Sequence, residues 1–295
     1  MRVGQAIRIG FGTLRRVHGL ALVLFIIYLV VAALLALPMG QAIASFTGYS
    51  LAADRLWTGF DALWHGEFTY YYENFLSGYG ILLAWSAILF LLLNSILTGG
   101  ALSVFAGGGK PGYLRQFGQG CGRFAGRMLR LWACSLIPYL LVFLIFVVGL
   151  GRLRTPLADR VQDEWPLVIF GFGQFFLLLL ALGLVNLLFD YAKVAVVVDD
   201  ERSVLRGLGW GTRFVASNLW LTCATYVLLV LAAGLLIAAY LAVTSQFRIS
   251  SGLLLLLWFL LAQVFFYFRI FLRLGLQATE LRIYAPALAA SSEAV

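Results

Sequence analysis

Charge is scarce in this chain. Asp, Glu, Lys and Arg make up 12% of its 295 residues, against 62% hydrophobic residues. Soluble domains carry about 25% charged and about 45–50% apolar residues, so a water-facing surface cannot be built from this composition. Histidine is nearly missing: His18 and His65 are the only two, which argues against a histidine-based metal centre. Cysteine occurs three times, at Cys121, Cys134 and Cys223. The odd count and irregular spacing argue against a disulfide framework or a zinc site, and the three read as small buried thiols. No nucleophile–base pair and no metal-ligand set stands out, so catalysis has no visible seat. Gly107-Gly108-Gly109-Lys110 lacks the Gly-Lys-Ser/Thr ending and the strand–loop–helix setting of a phosphate loop. No cofactor is implied.

What is present is long apolar sequence. A span needs roughly 20 apolar residues, because the hydrocarbon is about 30 Å thick and a helix rises about 1.5 Å per residue. Six runs meet this: 19–37, 81–106, 131–150, 167–189, 219–243 and 252–268. In lipid every backbone N–H and C=O needs an internal partner, which selects helices. The first run is too long for a signal-peptide core of about 7–15 residues. The expected fold is an all-α integral membrane protein with six transmembrane helices. Residues 1–285 are read as a single six-helix membrane domain, with 286–295 a disordered tail.

The basic residues give the orientation. The N-terminus holds Arg2, Arg8, Arg15 and Arg16. The connection after the second run holds Lys110, Arg115, Arg123, Arg127 and Arg130, and that after the fourth Lys193, Arg202, Arg206 and Arg213. The C-terminal segment holds Arg269, Arg273 and Arg282. These are sixteen of the twenty-one Lys and Arg; the opposite loops share Arg55, Arg152, Arg154, Arg160 and Arg248. Positive residues stay in the cytoplasm, so both termini are expected there. The net charge of +8 follows this sidedness instead of forming one basic domain, so nucleic acid is not an expected partner.

Two connections read alike. Leu114-Arg115, Gly118-Gln119-Gly120-Cys121 and Arg123-Phe124 parallel Leu205-Arg206, Gly209-Trp210-Gly211-Thr212 and Arg213-Phe214. Asn94 and Asn186 match upstream, and Gly10-Phe11-Gly12-Thr13 gives a weaker third copy. The expected unit is a cytoplasmic helix followed by a helical hairpin, repeated over about 1–106, 107–198 and 199–285. Leu114, Phe117, Cys121, Phe124 and Met128, and likewise Leu205, Leu208, Thr212, Val215 and Leu219, are spaced as one helical face. Such a basic amphipathic helix lies in the headgroup plane with its stripe in the acyl boundary, and Arg115, Arg123, Arg127, Arg206 and Arg213 are candidate contacts to anionic lipid. The alternative is packing beneath the bundle. Gly118, Gly120, Gly122 and Gly126 predict a kink or break in the second copy.

The first outer loop carries Trp57, Phe60, Trp64, Phe68, Tyr70, Tyr71, Tyr72 and Phe75. These predict an interfacial or re-entrant helix, or a platform for a lipid, glycan or partner. Asn94, Asn186 and Gln263 fall in or near the second, fourth and sixth spans and need partners there, either neighbouring helices or a polar path. Asp190 and Lys193, three apart, predict an ion pair where the fourth span ends, with a headgroup or ion site as the alternative. Asp199 and Asp200 suit the N-terminus of the following helix. Arg269 and Arg273 predict snorkelling to phosphates. Gly171-x-Gly173 predicts close helix packing, and Pro138 a kink.

The string from Asp190 to Phe214, between an Asn-bearing span and another span, resembles that of a broad group of uncharacterised bacterial six-span membrane proteins. These are similar to the membrane domain attached to some glycerophosphodiester phosphodiesterases. The phosphodiesterase catalytic domain, with its metal-binding Glu and His residues, has no counterpart here, so its activity is not carried over. The resemblance implies a bacterial inner-membrane protein. The expected function is non-enzymatic: a lipid-interacting or partner-binding module, a homo-oligomer or a subunit of a membrane assembly. A transporter or channel lined by Asn94, Asn186, Gln263, Asp190 and Lys193 is the second expectation, and an intramembrane lipid-modifying enzyme the third.

Overall fold

The computed structural model describes residues 3–48, 61–153, 165–246 and 251–292, with side chains to residue 285. Arg2, Arg55, Trp57, Phe60, Arg154, Arg160 and Arg248 lie outside the described residues. The described chain forms α1 (Val3–Arg16), α2 (His18–Thr47), α3 (Ala62–Tyr71), α4 (Glu73–Ala106), α5 (Tyr113–Phe143), α6 (Trp165–Val198), α7 (Val204–Ser217), α8 (Leu219–Gln246) and α9 (Gly252–Ser292). Helices α2, α4, α5 with its extension to Leu153, α6, α8 and α9 are long and apolar enough to cross a membrane. The chain is an all-α membrane protein with six such helices.

The helices outrun the apolar stretches that announce them. Helix α9 continues to Ser292, past the end of its apolar run at 268. Helix α5 begins at Tyr113 and passes through the glycine-rich segment without interruption. The predicted break is absent: this segment is the continuation of the span and shares its axis. The turn before it uses Gly108, Gly109 and Gly112 at φ of 75°, 68° and 86°, a region that only glycine enters without strain. Past Pro138, α5 loosens into a π-helical turn, Leu144–Gly149, and the Phe146 carbonyl there accepts a hydrogen bond from Gln174 Nε2 at 2.6 Å.

The chain divides into two compact units. One comprises residues 1–14, 95–226 and 276–295; the other comprises 15–94 and 227–275. In the first, short helical segments approach their neighbouring long helices through glycine. A Cβ at Gly211 of α7 would stand 2.7 Å from the Ala192 backbone N of α6 and 2.9 Å from its Cα. One at Gly10 of α1 would stand 2.8 Å from Thr279 Cα of α9. One at Gly120 of α5 would overlap the Ser103 hydroxyl of α4 and stand 3.2 Å from Gly100 Cα. Gln116 Nε2 donates to the Ser103 carbonyl at 2.8 Å, and Ser95 Oγ to that of Met128 at 3.0 Å.

The faces packed on neighbouring helices do not coincide with the apolar stripes. The buried face of α7 is Val204, Gly207, Gly211 and Val215. Of the predicted set only Val215 is buried, and Leu205 is 72% exposed. On α5, Phe117, Phe124 and Met128 are buried as part of the expected face, but Gly120 takes its centre and Leu114 is exposed. Backbone approach selects the smallest side chain, so hydrophobicity alone misreads the packed face. Gly171 and Gly173 meet nothing within 4 Å and do not mark close packing. The three cysteines are half-buried and free.

In the second unit, Asp61 caps α3, its carboxylate accepting from the N–H groups of Leu63 (2.9 Å) and Trp64 (3.2 Å). Trp64 and Phe68 stack at 5.2 Å, and Phe46 of α2 sets its ring edge-on against both. The outer aromatic helix is therefore packed on α2 through Trp64 and Phe68, while Tyr70 and Tyr71 are exposed. Tyr79 donates to the Leu35 carbonyl at 2.8 Å, close to Pro38, which cannot join the helical ladder.

Replacing Gly211 by Ala should lower stability by about 1–3 kcal/mol through overpacking against fixed backbone. Gly209→Ala, whose Cβ meets open space, should be neutral or stabilising by up to about 1 kcal/mol. Thermal unfolding of the two variants in one detergent measures the contrast.

Candidate functional site

Asn186, Asp190 and Lys193 stand four and three apart on α6, so they share one helical face. Lys193 Nζ donates to Asp190 Oδ1 at 2.7 Å, and the two side chains are 21% and 18% exposed. One turn away, Asn186 is held on both sides. Tyr139 of α5 donates its hydroxyl to Asn186 Oδ1 at 3.1 Å, and Asn186 Nδ2 donates to the Tyr226 hydroxyl of α8 at 3.2 Å. The amide satisfies its polar groups on neighbouring helices.

Glu280 of α9 joins this row. Its residue is 2% exposed, and Asp190 and Lys193 are the charges that act on it. Its Oε1 has no hydrogen-bond partner among the described residues; nor do the Tyr191 hydroxyl and Gln277 Oε1, which are also buried. Tyr191 packs on Phe214 of α7 at 5.4 Å, and Phe214 in turn meets Tyr284 of α9 at 5.0 Å.

The connection from α6 to α7 ties the outer end of this region together. Tyr284 donates to Asp199 Oδ2 at 2.9 Å. Burial pushes the Asp199 carboxyl upward from its ordinary pKa, against the Tyr284 hydrogen bond, which lowers it. Asp200, at φ 50°, accepts from Arg127 at 2.7 Å and Arg123 at 2.5 Å. Those hydrogen bonds, Arg127's first, hold its pKa below the ordinary value. The two aspartates thus serve α9 and α5, in place of the expected role at the α7 N-terminus. There, Glu201 accepts from the Ser203 N–H at 3.0 Å.

The remaining sequence candidates separate. In the second unit, Asn94 Oδ1 accepts from Tyr28 at 2.8 Å and from Arg273 at 3.0 Å. Arg273 is therefore turned to a neighbouring amide. Arg269 is exposed, and Gln263 is half-buried without a side-chain hydrogen bond among the described residues. Arg115, Arg206 and Arg213 are exposed. Sequence reasoning missed Glu280, Gln277, Tyr139, Tyr226 and Tyr284. The sixth apolar run ends at 268, so Glu280 fell outside the segment read for polar residues. The signal was available: Gln277, Glu280 and Tyr284 follow a helical 3–4 spacing among Leu274, Ala278 and Leu281.

A depressed carboxyl pKa stabilises the folded state above the unfolded value of about 3.9, and that stabilisation is lost as pH falls through the lower folded value. Asp200→Asn should therefore lower the unfolding temperature near neutral pH, with the gap to wild type closing on acidification. A pH series of melting curves for the two proteins reads this directly. No family model matches the chain, and neither a curated protein nor a solved structure matches it.

Proposed function

We propose that this protein is a non-enzymatic, lipid-interacting module of a bacterial inner membrane, with both termini cytoplasmic. The observation that carries the reading is the free face of α7. Arg206, Trp210 and Arg213 are spaced four and three apart and are exposed, while the opposite Gly207 and Gly211 face is buried. Arginine binds lipid phosphates, and tryptophan favours the headgroup level. A helix fixed on one side by backbone contact and carrying such a row on the other is built to rest against anionic headgroups. The exposed Trp220 (85%), just inside α8, extends the row.

The basic residues clustered around α1, the start of α5 and α7 support the cytoplasmic placement of these segments. The recurring Gly-x-Gly segments, and the close contacts made by Gly120 and Gly211 as the second glycine of each, support a repeated unit. The resemblance to the membrane domains of glycerophosphodiester phosphodiesterases agrees with a lipid role that needs no catalytic group of its own. A second reading, a route for a small solute, draws on the Asn186, Asp190 and Lys193 row; it requires flux across liposomes, whereas the lipid reading requires none.

Each arginine near an anionic surface contributes about 1 kcal/mol. Arg206→Gln with Arg213→Gln should weaken retention of phosphatidylglycerol or cardiolipin by about thirty-fold, measured by lipid exchange in mixed vesicles. Unchanged retention would remove the basis for the lipid role. For orientation, Gly66→Cys should be labelled from outside intact spheroplasts, and Ser217→Cys only after permeabilisation, in a background without the native cysteines. The reverse pattern would invert the topology.

A further inference from the structure

We propose that Glu280, Gln277 and Tyr191, beside the Asp190–Lys193 pair, form a buried binding site for one monovalent positive charge, either a proton or an alkali cation. This stands apart from the lipid reading, which concerns the exposed face of α7.

The first argument is charge. Lys193 is already paired with Asp190 at 2.7 Å. Glu280 is the second carboxyl of the group and is 2% exposed. Two carboxylates and one ammonium leave one negative charge with no water to solvate it. An isolated buried carboxylate is not sustained; it is neutralised or paired. One monovalent cation balances the group, and a divalent ion overshoots it.

The second argument is the donor set. Three buried oxygens lack hydrogen-bond partners: Glu280 Oε1, Gln277 Oε1 and the Tyr191 hydroxyl. Buried polar atoms are ordinarily paired, so a group of orphans around an uncompensated carboxyl calls for a ligand. Gln277 and Glu280 are three apart on α9 and share its face. Tyr191 lies within electrostatic reach of Glu280. Carboxylate, amide and phenol oxygens are hard ligands suited to a hard cation, and the same carboxylate is the natural proton acceptor.

The third argument is that, among the described residues, the cation acting on Glu280 is Lys193, already paired with Asp190. From α6 the facing charged and titratable groups are Asp190, Tyr191 and Lys193. From α8 they are Tyr226, already bonded to Asn186, and Cys223, which acts on Tyr191. On α9, Arg282 is directed to Thr13 of α1 and is not among the charges that act on Glu280, and Tyr284 is engaged by Asp199. A buried acid without a partner is retained at a cost in stability.

The test is the melting temperature of full-length protein in nanodiscs, wild type against Glu280→Gln. One arm replaces choline chloride by sodium or potassium chloride at constant pH and ionic strength. The other varies pH from about 5 to about 9 in choline. Binding to the folded state alone raises stability with ligand concentration. An alkali site gives a wild-type melting temperature that rises with sodium or potassium. A proton site gives stability in choline that is fullest at low pH and falls as pH rises. Either response, reduced at least tenfold in apparent ion affinity or lost in Glu280→Gln, supports the site and names its ion. pH-dependent changes shared by both proteins come from other groups, the raised Asp199 carboxyl among them, and cancel in the difference. Equal responses of wild type and variant, or none in either arm, overturn the proposal. If Glu280→Gln fails to fold, infrared difference spectra of wild type across the same two arms decide. A carboxyl band from a solvent-protected group that changes with the ion supports the site, and its absence overturns it.

Discussion

Hydrocarbon gives apolar side chains no reason to leave it, and the rest of this structure depends on that. In water, Leu180, Leu231 and Ile169, all more than half exposed, would drive helices together. In lipid they are solvated where they stand, so association needs close packing and polar bonds instead. The chain meets that need in the first unit through glycine. Gly10, Gly120 and Gly211 bring backbone against backbone or small side chain, at distances any other residue would prevent. The helix-propensity cost of these glycines, about 1 kcal/mol each, is offset by contacts that a leucine stripe cannot make.

The polar groups follow from the same constraint. A side-chain amide in a span has no water to turn to, so Asn186 is held between Tyr139 and Tyr226, and Asn94 between Tyr28 and Arg273. Asp190 and Lys193 neutralise each other. Glu280 departs from this economy. Its Oε1 has no hydrogen-bond partner among the described residues, and the buried Gln277 Oε1 and Tyr191 hydroxyl share that condition.

Much of this was legible beforehand, for a physical reason. Apolar run length reports span number because bilayer thickness is fixed, and the six helices stand where six runs predicted them. Local polar spacing was equally readable: Asp190 and Lys193 are three apart and had to meet. What periodicity could not supply was the packed face of α7. Leucines at helical spacing mark a buried face in water, but next to lipid they mark an exposed one, and the glycines of the opposite face carry no hydrophobic signal. Helix ends were misjudged because polar residues were read as leaving the helix. In α9 they continue it for more than four turns, carrying Gln277, Glu280 and Tyr284. The partners of Asp199 and Asp200 were out of reach, since Arg123 and Tyr284 are more than seventy residues away on either side.

The five residues from Asp199 to Ser203 bind the exposed and buried parts of the first unit into one arrangement. Asp200 holds two arginines of α5, Asp199 holds Tyr284 of α9, and Glu201 fixes the start of α7. Tyr284 packs on Phe214, which packs on Tyr191, whose hydroxyl lies in the field of Glu280. A shift of α7 moves Phe214, and Phe214 cannot move without displacing the rings on both sides of it. The headgroup-facing row of α7 and the buried carboxyl of α9 are therefore joined by contiguous side-chain contacts through one short connector. If the charge state of Glu280 has two values, the ring stack between Tyr191 and Tyr284 is the element through which that difference reaches the surface.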